Sequence, residues 1–192
     1  MRPIPRNSWG GASQALTALR APRWFEFYGK PAVLSHLMNR WCEAIQRDMT
    51  LRPQIDPLTG EFTEGDLPNY SPAALLMTSF TWRLIGIREE PNQLEWNVRT
   101  AHTAAQGARF HPRFDKKHTA SLSYENHSAV LRQNGRRVCQ IDSGSVRLTT
   151  DKQGQPKSLT GISESVETIS LRMDSHPAKN ITIRPNHKLK LD

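Results

Sequence analysis

The spacing of hydrophobic residues changes once along this chain of 192 residues, and that change constrains the fold more than any other feature. Up to about residue 87, apolar residues recur at roughly every third or fourth position, which is typical of amphipathic helices. From Leu94 onward, apolar and polar residues alternate, which is typical of half-buried strands. A block of helices followed by a block of strands predicts an α+β chain and not an alternating α/β sheet.

Two long helices are predicted in the first block. The first runs from Pro31 to Met49, where one i, i+4 row consists of Val33, Leu37, Trp41, Ile45 and Met49. The second runs from Pro72 to Ile85, with Ser71 as its N-cap and Gly86 at its end. Apolar residues cover most of its circumference, so we expect it to be buried on nearly all sides. Shorter helices are predicted over Ala12–Leu19 and Arg23–Tyr28.

The second block predicts a small antiparallel β-sandwich. Within AVLRQNGRRVCQI, the pair Asn134-Gly135 supplies the positive φ angles of a type I′ hairpin turn. Further alternating runs end at a last strand near Leu171, giving about six to eight short strands. We therefore predict a helical region over residues 1–90, a sandwich over 91–174 and a loose tail over 175–192.

The distribution of charge indicates which kinds of partner the protein binds, and the cysteine content indicates the redox state of its compartment. The net charge is +8, but the basic residues are scattered and cluster tightly only at Lys116-Lys117 and Arg136-Arg137. This pattern favours a solvated basic surface over a nucleic-acid partner, which stays a third hypothesis. Cys42 and Cys139 lie far apart and are expected to be buried free thiols in a reducing compartment. The sequence contains neither a secretory signal nor an apolar run of membrane-spanning length, so we predict a cytoplasmic protein with no membrane contact.

Residues 55–72 read IDPLTGEFTEGDLPNYSP, an acid-rich loop between two helix-patterned segments. Asp56 and Thr59 are expected to fix its turn by side-chain-to-backbone hydrogen bonds. Its four acids do not have the spacing of a twelve-residue calcium loop. The histidines of the chain also lack the i, i+4 spacing of a helical zinc site. We therefore predict no metal and no cofactor.

Three short motifs and one helical segment of this chain recur together in one known family. They are Trp9-Gly10-Gly11, the helices through Met49, Asp56-Pro57-Leu58-Thr59-Gly60, and Asn69-Tyr70-Ser71-Pro72. In this order they resemble the last hairpins of the six-hairpin, (α/α)6-toroid glycosidases, in the branch with processing α-glucosidase I and mannosylglycerate hydrolase. The resemblance implies the last helical hairpins of an (α/α)6 toroid followed by a C-terminal antiparallel β-sandwich.

The resemblance also implies an activity, the hydrolysis of O-glycosidic bonds by an inverting enzyme with two carboxyl groups about 6.5–9.5 Å apart. The family's general base is a Glu four residues before the loop's proline, and this chain has Pro53 there. Glu61 is therefore the candidate base, while Trp9, Asp56 and Tyr70 are the candidate substrate-binding residues.

The family's general acid comes from an earlier hairpin, so the chain is expected to be a C-terminal portion that is inactive alone. An upstream polypeptide would then complete the toroid around a carbohydrate substrate. The alternative is a non-catalytic carbohydrate-binding or interaction module, which the proline at position 53 favours.

Overall fold

The computed structural model describes residues 11–63, 68–112, 119–173 and 177–191. Among the residues that the structure describes, 40% lie in strands and 29% in helices, so the protein is mostly β. Within the described ranges there are three α-helices, which are too few to form a ring of six helical hairpins. The predicted (α/α)6 toroid is therefore wrong: the helices that form are few, and strands contain more of the described residues than helices do.

The chain divides into two compact units between Thr81 and Trp82. The first, called the helical unit here, holds two short strands and three helices, of which the third crosses the division. These elements are β1 (Ser13–Gln14), α1 (Ala15–Phe27), α2 (Pro31–Asp48), β2 (Gln54–Ile55) and α3 (Ser71–Ile85). Strands β1 and β2 pair antiparallel, and α1 packs against α2.

Helix α1 is one continuous helix where the sequence predicted two short ones. Pro22 lies inside it and is buried together with Ala15, Ala18 and Ala21. A proline inside a helix removes one backbone hydrogen bond and usually breaks or kinks the helix. Here the helix continues through Pro22, and the small buried side chains let this face approach its neighbours closely.

The bounds of helix α2 match the prediction closely, but Val33 and Met49 of the predicted apolar row are exposed. Pro31 lies at the helix start, where its missing N–H costs no hydrogen bond. The helix ends at Asp48, because Met49 takes a left-handed conformation with φ of 49°. One face buries Leu34, Met38 and Trp41, and the Trp41 indole donates to the Ser13 hydroxyl at 3.2 Å.

Helix α3 is amphipathic, so the prediction of burial on nearly all sides was wrong. Its buried face repeats at helical spacing and consists of Ala73, Leu76, Phe80 and Leu84. On the other side Leu75 is 66% exposed. Apolar content around the whole circumference thus did not predict which side chains would be covered.

The second unit, called the β unit here, contains eleven strands within its described ranges. They are β3 (Ile87–Glu90), β4 (Gln93–Arg99), β5 (Arg109–Phe110), β6 (Ala120–Glu125), β7 (Ser128–Gln133), β8 (Arg136–Ser143), β9 (Ser145–Asp151), β10 (Pro156–Gly161), β11 (Glu167–Met173), β12 (Lys179–Ile183) and β13 (Lys188–Lys190). They form a five-stranded sheet of order β13-β10-β9-β4-β3 and a six-stranded sheet of order β12-β11-β8-β7-β6-β5.

The two sheets pack face to face as the predicted antiparallel sandwich. Contacts join β3 to β6, β4 to β7 and β9 to β11. The core includes the fully buried Trp96, Leu122 and Leu148. The buried Tyr124 hydroxyl lies 3.0 Å from each of two backbone oxygens, those of Ile85 and Asn97, and thereby links strand β6 to segments outside its own sheet.

Two turns of the sandwich depend on residues with positive φ. Asn134 (φ 52°) and Gly135 (φ 76°) connect β7 to β8, which confirms the predicted hairpin. Gly144 (φ 100°) carries the chain from β8 to β9, hence from the six-stranded to the five-stranded sheet. A Cβ atom at Gly144 would collide with Ile169 Cδ1, so the buried Ile169 side chain would have to shift to admit it.

A row of polar side chains crosses β3, β4 and β9. Arg88 Nη1 donates to Glu95 Oε2 at 3.0 Å, and Arg147 Nη1 lies 3.5 Å from the same oxygen. Arg147 Nε donates to Asn97 Oδ1 at 2.8 Å. Asn97 is fully buried and Arg147 is 8% exposed. We call these four residues the Glu95 network.

Residues 175–192, predicted as a loose tail, contribute two strands. Strand β12 pairs with β11 and strand β13 pairs with β10. Both are the outermost strands of their sheets, and most of their side chains are exposed. Apolar and polar residues do alternate in both strands, but these runs of five and three residues are too short to stand out as strands in the sequence.

Each unit holds one buried free cysteine, Cys42 in the helical unit and Cys139 in the β unit. Burial raises the pKa of both thiols to about 12. None of the helices in the described ranges is long and apolar enough to cross a bilayer.

Candidate functional site

The loop over residues 56–61 is closed by its own side chains. Asp56 Oδ1 accepts hydrogen bonds from the backbone N–H of Leu58 (2.7 Å) and of Thr59 (3.3 Å). Thr59 Oγ1 accepts from the Glu61 N–H at 3.2 Å, and Gly60 N–H donates to the Asp56 carbonyl at 2.8 Å. This is the side-chain-to-backbone bonding that Asp-Pro-x-Thr-Gly predicts, so the turn is a rigid element of the site.

Two arginines of α2 hold this loop against the helix. Arg40 Nη1 donates to the Leu58 carbonyl at 2.6 Å, and Arg47 Nη2 donates to the Gly60 carbonyl at 3.4 Å. Arg40 also donates through Nε to His36 Nε2 at 2.9 Å. The loop and one face of α2 therefore form a common wall with imidazole and guanidinium groups fixed in position.

A pocket of about 270 Å³ lies between the loop and α2. It is lined by His36, Asn39, Arg40, Glu43, Arg47, Thr59 and Gly60. We call it the α2 pocket. Asn39 Oδ1 is buried and, among the residues that the structure describes, has no hydrogen-bond partner. A buried acceptor without a donor is costly, and a ligand hydroxyl is one group that could satisfy it.

Three carboxylates, two from α2 and one from the loop, act on the guanidinium of Arg47 in this pocket. Arg47 Nε donates to Asp48 at 2.9 Å, and this hydrogen bond is the main cause that raises the pKa of Arg47. The negative charges of Glu61 and Glu43 raise that pKa further. Glu61 from the loop and Glu43 from the helix thus lie within electrostatic range of one site.

Glu43 is the residue that the sequence reasoning missed. His36, Arg40, Glu43 and Arg47 recur at i, i+4, i+7 and i+11, opposite the apolar rows of α2. Such a stripe reads as the solvated face of an amphipathic helix. A long acid-rich loop directly after that helix was the available signal that the stripe faces something else.

Of the four predicted site residues, three lie in the described part of the chain, and their surroundings differ. Asp56 shapes the turn, and Glu61 is exposed beside the α2 pocket. Tyr70 is half-buried before α3, where its N–H donates to the Leu51 carbonyl at 2.8 Å, and it is not among the residues lining the pocket. Trp9 lies outside the described residues.

Pro53, which stands where the family has its base, has a backbone role. Its carbonyl accepts a hydrogen bond from the Ala15 N–H at 2.8 Å, beside the β1–β2 pairing. Across the described ranges, no three His, Cys, Asp or Glu side chains come together as metal ligands would.

Neither a family model, nor a curated protein, nor a solved structure matches this chain.

Proposed function

We propose that the protein binds carbohydrate in the α2 pocket and is part of an enzyme that hydrolyses O-glycosidic bonds. The carrying observation is the composition of the pocket, which combines planar donors, an amide and a carboxylate around about 270 Å³. Sugar hydroxyls donate and accept at once, so they pair with groups of both kinds on one wall. Fixed polar groups in a concave site are what orient a small ligand.

The rigid loop favours a positioned carboxylate over a mobile one. Glu61 follows directly on the turn that Asp56 and Thr59 close, and its own N–H is bonded to Thr59. In the proposed reaction, the Glu61 carboxylate takes a proton from a water molecule as that water attacks the anomeric carbon. A second carboxyl group protonates the departing glycosidic oxygen.

Two sources of that second carboxyl group are open to test. Glu43 lines the same pocket, and a second polypeptide could supply another. In both arrangements, Arg40 and Arg47 fix the loop and with it the direction of Glu61.

A non-catalytic carbohydrate-binding module is the second candidate. The observation that favours it is the role of Pro53. This residue stands at the family's base position, and its carbonyl accepts a backbone hydrogen bond from Ala15. In that case the α2 pocket binds sugar without turnover, and Glu61 is a ligand or a solvated acid.

The test of binding is calorimetric titration with neutral α- and β-linked gluco- and manno-oligosaccharides. Asn39→Leu should weaken binding by about tenfold or more, because it removes a buried acceptor that sugar would satisfy. The same change should not lower stability, since that acceptor has no donor in the described part of the protein. The matched control, Glu125→Gln, alters an exposed carboxylate of the β unit and should change nothing.

The test of catalysis uses the binding oligosaccharides as substrates. Glu61→Gln should abolish hydrolysis and keep binding, because the amide preserves shape but cannot take the proton from water. Loss of hydrolysis in Glu43→Gln as well would assign the acid to this chain. Binding without any hydrolysis, with and without added upstream polypeptide, would select the binding module, and no binding to any oligosaccharide would end the proposal.

A further inference from the structure

A second cavity, of about 660 Å³, lies in the β unit where two hairpin turns run side by side. One wall is the start of β8, with Arg136, Arg137 and Val138 after the Asn134-Gly135 turn. The other is the β9–β10 turn over residues 152–156, and Met173 at the end of β11 also contributes. We call it the turn cleft.

The two walls are tied together by one buried side chain. Gln133, 3% exposed, donates through Nε2 to the carbonyls of Asp151 (3.0 Å) and Lys152 (2.9 Å). Its Oε1 accepts from the Thr150 hydroxyl at 2.9 Å. Gln133 ends β7 in one sheet, while its partners lie at or just after the end of β9 in the other, so separating the turns would break these three hydrogen bonds.

The β9–β10 turn is also fixed internally. Asp151 Oδ1 accepts from the N–H of Gln153 (3.0 Å) and of Gln155 (2.8 Å), and Gly154 takes φ of 94°. Both walls therefore keep their shape in the absence of a ligand, which lowers the ordering cost of binding.

The cleft carries an excess of positive charge. Its lining includes Arg136, Arg137 and Lys152 and contains no carboxylate among the residues that the structure places there. Glu89 forms an ion pair with Lys152, which leaves two guanidinium groups in excess. Arg137 Nε is buried and has no hydrogen-bond partner within the described ranges. A buried charged donor of this kind is costly unless an acceptor is supplied.

We propose that the turn cleft is a binding site for a small organic molecule that bears an oxyanion, a phosphate or a carboxylate. Guanidinium groups pair with both oxyanions through two parallel hydrogen bonds. The amides of Asn134 and Gln155 offer donors and acceptors for hydroxyl groups of the same molecule, and Val138, Pro156 and Met173 supply apolar contact. The volume falls within the range of about 300–1,000 Å³ that small-molecule sites occupy.

The residues that line the turn cleft favour a small molecule over nucleic acid as its ligand. Single-stranded nucleic acids bind along extended basic grooves with aromatic side chains on which bases stack. The lining of the turn cleft includes no aromatic residue among those described, and its two arginines are adjacent in sequence on one strand.

The experiment is a calorimetric titration of the full chain with four probes: inorganic phosphate, glucose 6-phosphate, glucuronate and an oligonucleotide of about ten nucleotides. We expect glucose 6-phosphate or glucuronate to bind more tightly than inorganic phosphate, because the organic part adds contacts. Equal affinity for inorganic phosphate and glucose 6-phosphate would overturn the proposal of an organic ligand, because only the oxyanion would then be recognised. Whichever of glucose 6-phosphate and glucuronate binds more tightly shows whether the cleft prefers a phosphate or a carboxylate.

Three variants locate the binding. Arg137→Met should weaken it by about tenfold or more, since a charge-assisted pair is lost. Arg137→Lys keeps the charge without the planar fork and should be intermediate. The matched control, Arg109→Met, removes an exposed arginine of the same unit and should bind as the parent does. Near-ultraviolet circular dichroism of each variant checks that the sandwich is intact.

Equal weakening in Arg137→Met and Arg109→Met would overturn the proposal, as would binding of the oligonucleotide alone. Failure of every probe would also overturn it. These outcomes are separate from those for the α2 pocket, because the ligands there are neutral and the variants lie in the other unit.

Discussion

The charged groups of the Glu95 network in the β unit and the polar groups of the α2 pocket in the helical unit are used in different ways. In the β unit, the Glu95 network places charged groups where water is largely excluded, and they bond to one another across three strands. In the helical unit, His36, Arg40, Glu43 and Arg47 line an open pocket, and Asn39 keeps a buried acceptor without a donor in the described structure. Polar groups that satisfy each other stabilise a fold, whereas polar groups left with capacity are available to a ligand.

The largest effect should come from cutting the network in the β unit. Glu95→Ala removes the carboxylate that Arg88 and Arg147 share, while their side chains are only 18% and 10% exposed. Breaking a largely buried ion pair from one side costs about 3 kcal/mol or more. Urea unfolding with hydrogen-exchange mass spectrometry should show this loss in the β unit.

The matched control for that experiment is Glu125→Ala. Its ion pair with Arg109 is exposed, with side chains 59% and 67% accessible, so the cost should stay within about 0.5 kcal/mol. Similar losses in the two variants would remove the distinction drawn between buried and solvated polar groups.

A backbone position of the β unit should give the next largest effect. Gly144→Ala places a Cβ against Ile169 in a left-handed backbone conformation and should cost about 2–4 kcal/mol. Gly107 has φ of 73° and nothing within 4 Å of the added atom, so Gly107→Ala should cost only about 1 kcal/mol. Thermal unfolding of both variants separates collision from conformational strain, and equal shifts would show that the crossing tolerates a side chain.

A smaller effect is expected in the helical unit. Asp56→Ala removes two exposed hydrogen bonds that close the 56–61 loop and should cost about 0.5–1 kcal/mol. Because the loop is one wall of the α2 pocket, ligand binding should weaken more than stability does. Asp56→Asn keeps an acceptor oxygen and should restore both measurements; if it restores neither, the negative charge matters and not the turn.

The smallest effect concerns pH. Burial, with a lesser contribution from the Arg99 charge, lowers the pKa of His102, whose Nδ1 accepts from the Ala104 N–H at 3.2 Å. The unfolded chain therefore binds a proton at higher pH than the folded chain does. Stability of the β unit should fall as pH drops below about 6.5, the ordinary histidine value, towards the lowered pKa. His102→Gln should flatten this slope in denaturant titrations between pH 5 and 8, and an unchanged slope would assign it to other groups.

The features that the sequence predicted well are those fixed by neighbouring residues. Pro31 marks the start of α2, Asn134-Gly135 sets the β7–β8 turn, and Asp56 with Thr59 closes its own loop. In each case one residue type determines a backbone conformation within a few positions. The same logic failed at Pro22, where packing of small side chains holds a helix that local rules would break.

The features that the sequence missed depend on distant partners. Strand β13 pairs with β10, and Arg147 of the Glu95 network bonds to Asn97, so both depend on segments far away in the chain. The α2 pocket belongs with them, because Glu43 becomes a site residue only when the loop that carries Glu61 folds back beside it. Motif resemblance led to the loop but overestimated the helices around it.

Each unit contains one buried cysteine, and the rate at which that thiol is labelled reports on its own unit. A thiol with a pKa near 12 is almost entirely protonated at pH 8, and a buried one also excludes an alkylating reagent. Cys42 and Cys139 should therefore react only during openings of the segments that cover them, and the labelling rate of each measures how often those openings occur. A sugar or a sugar acid that closes one site should slow one thiol and leave the other unchanged, so mass spectrometry of the labelled chain can report which half of the molecule a ligand has found.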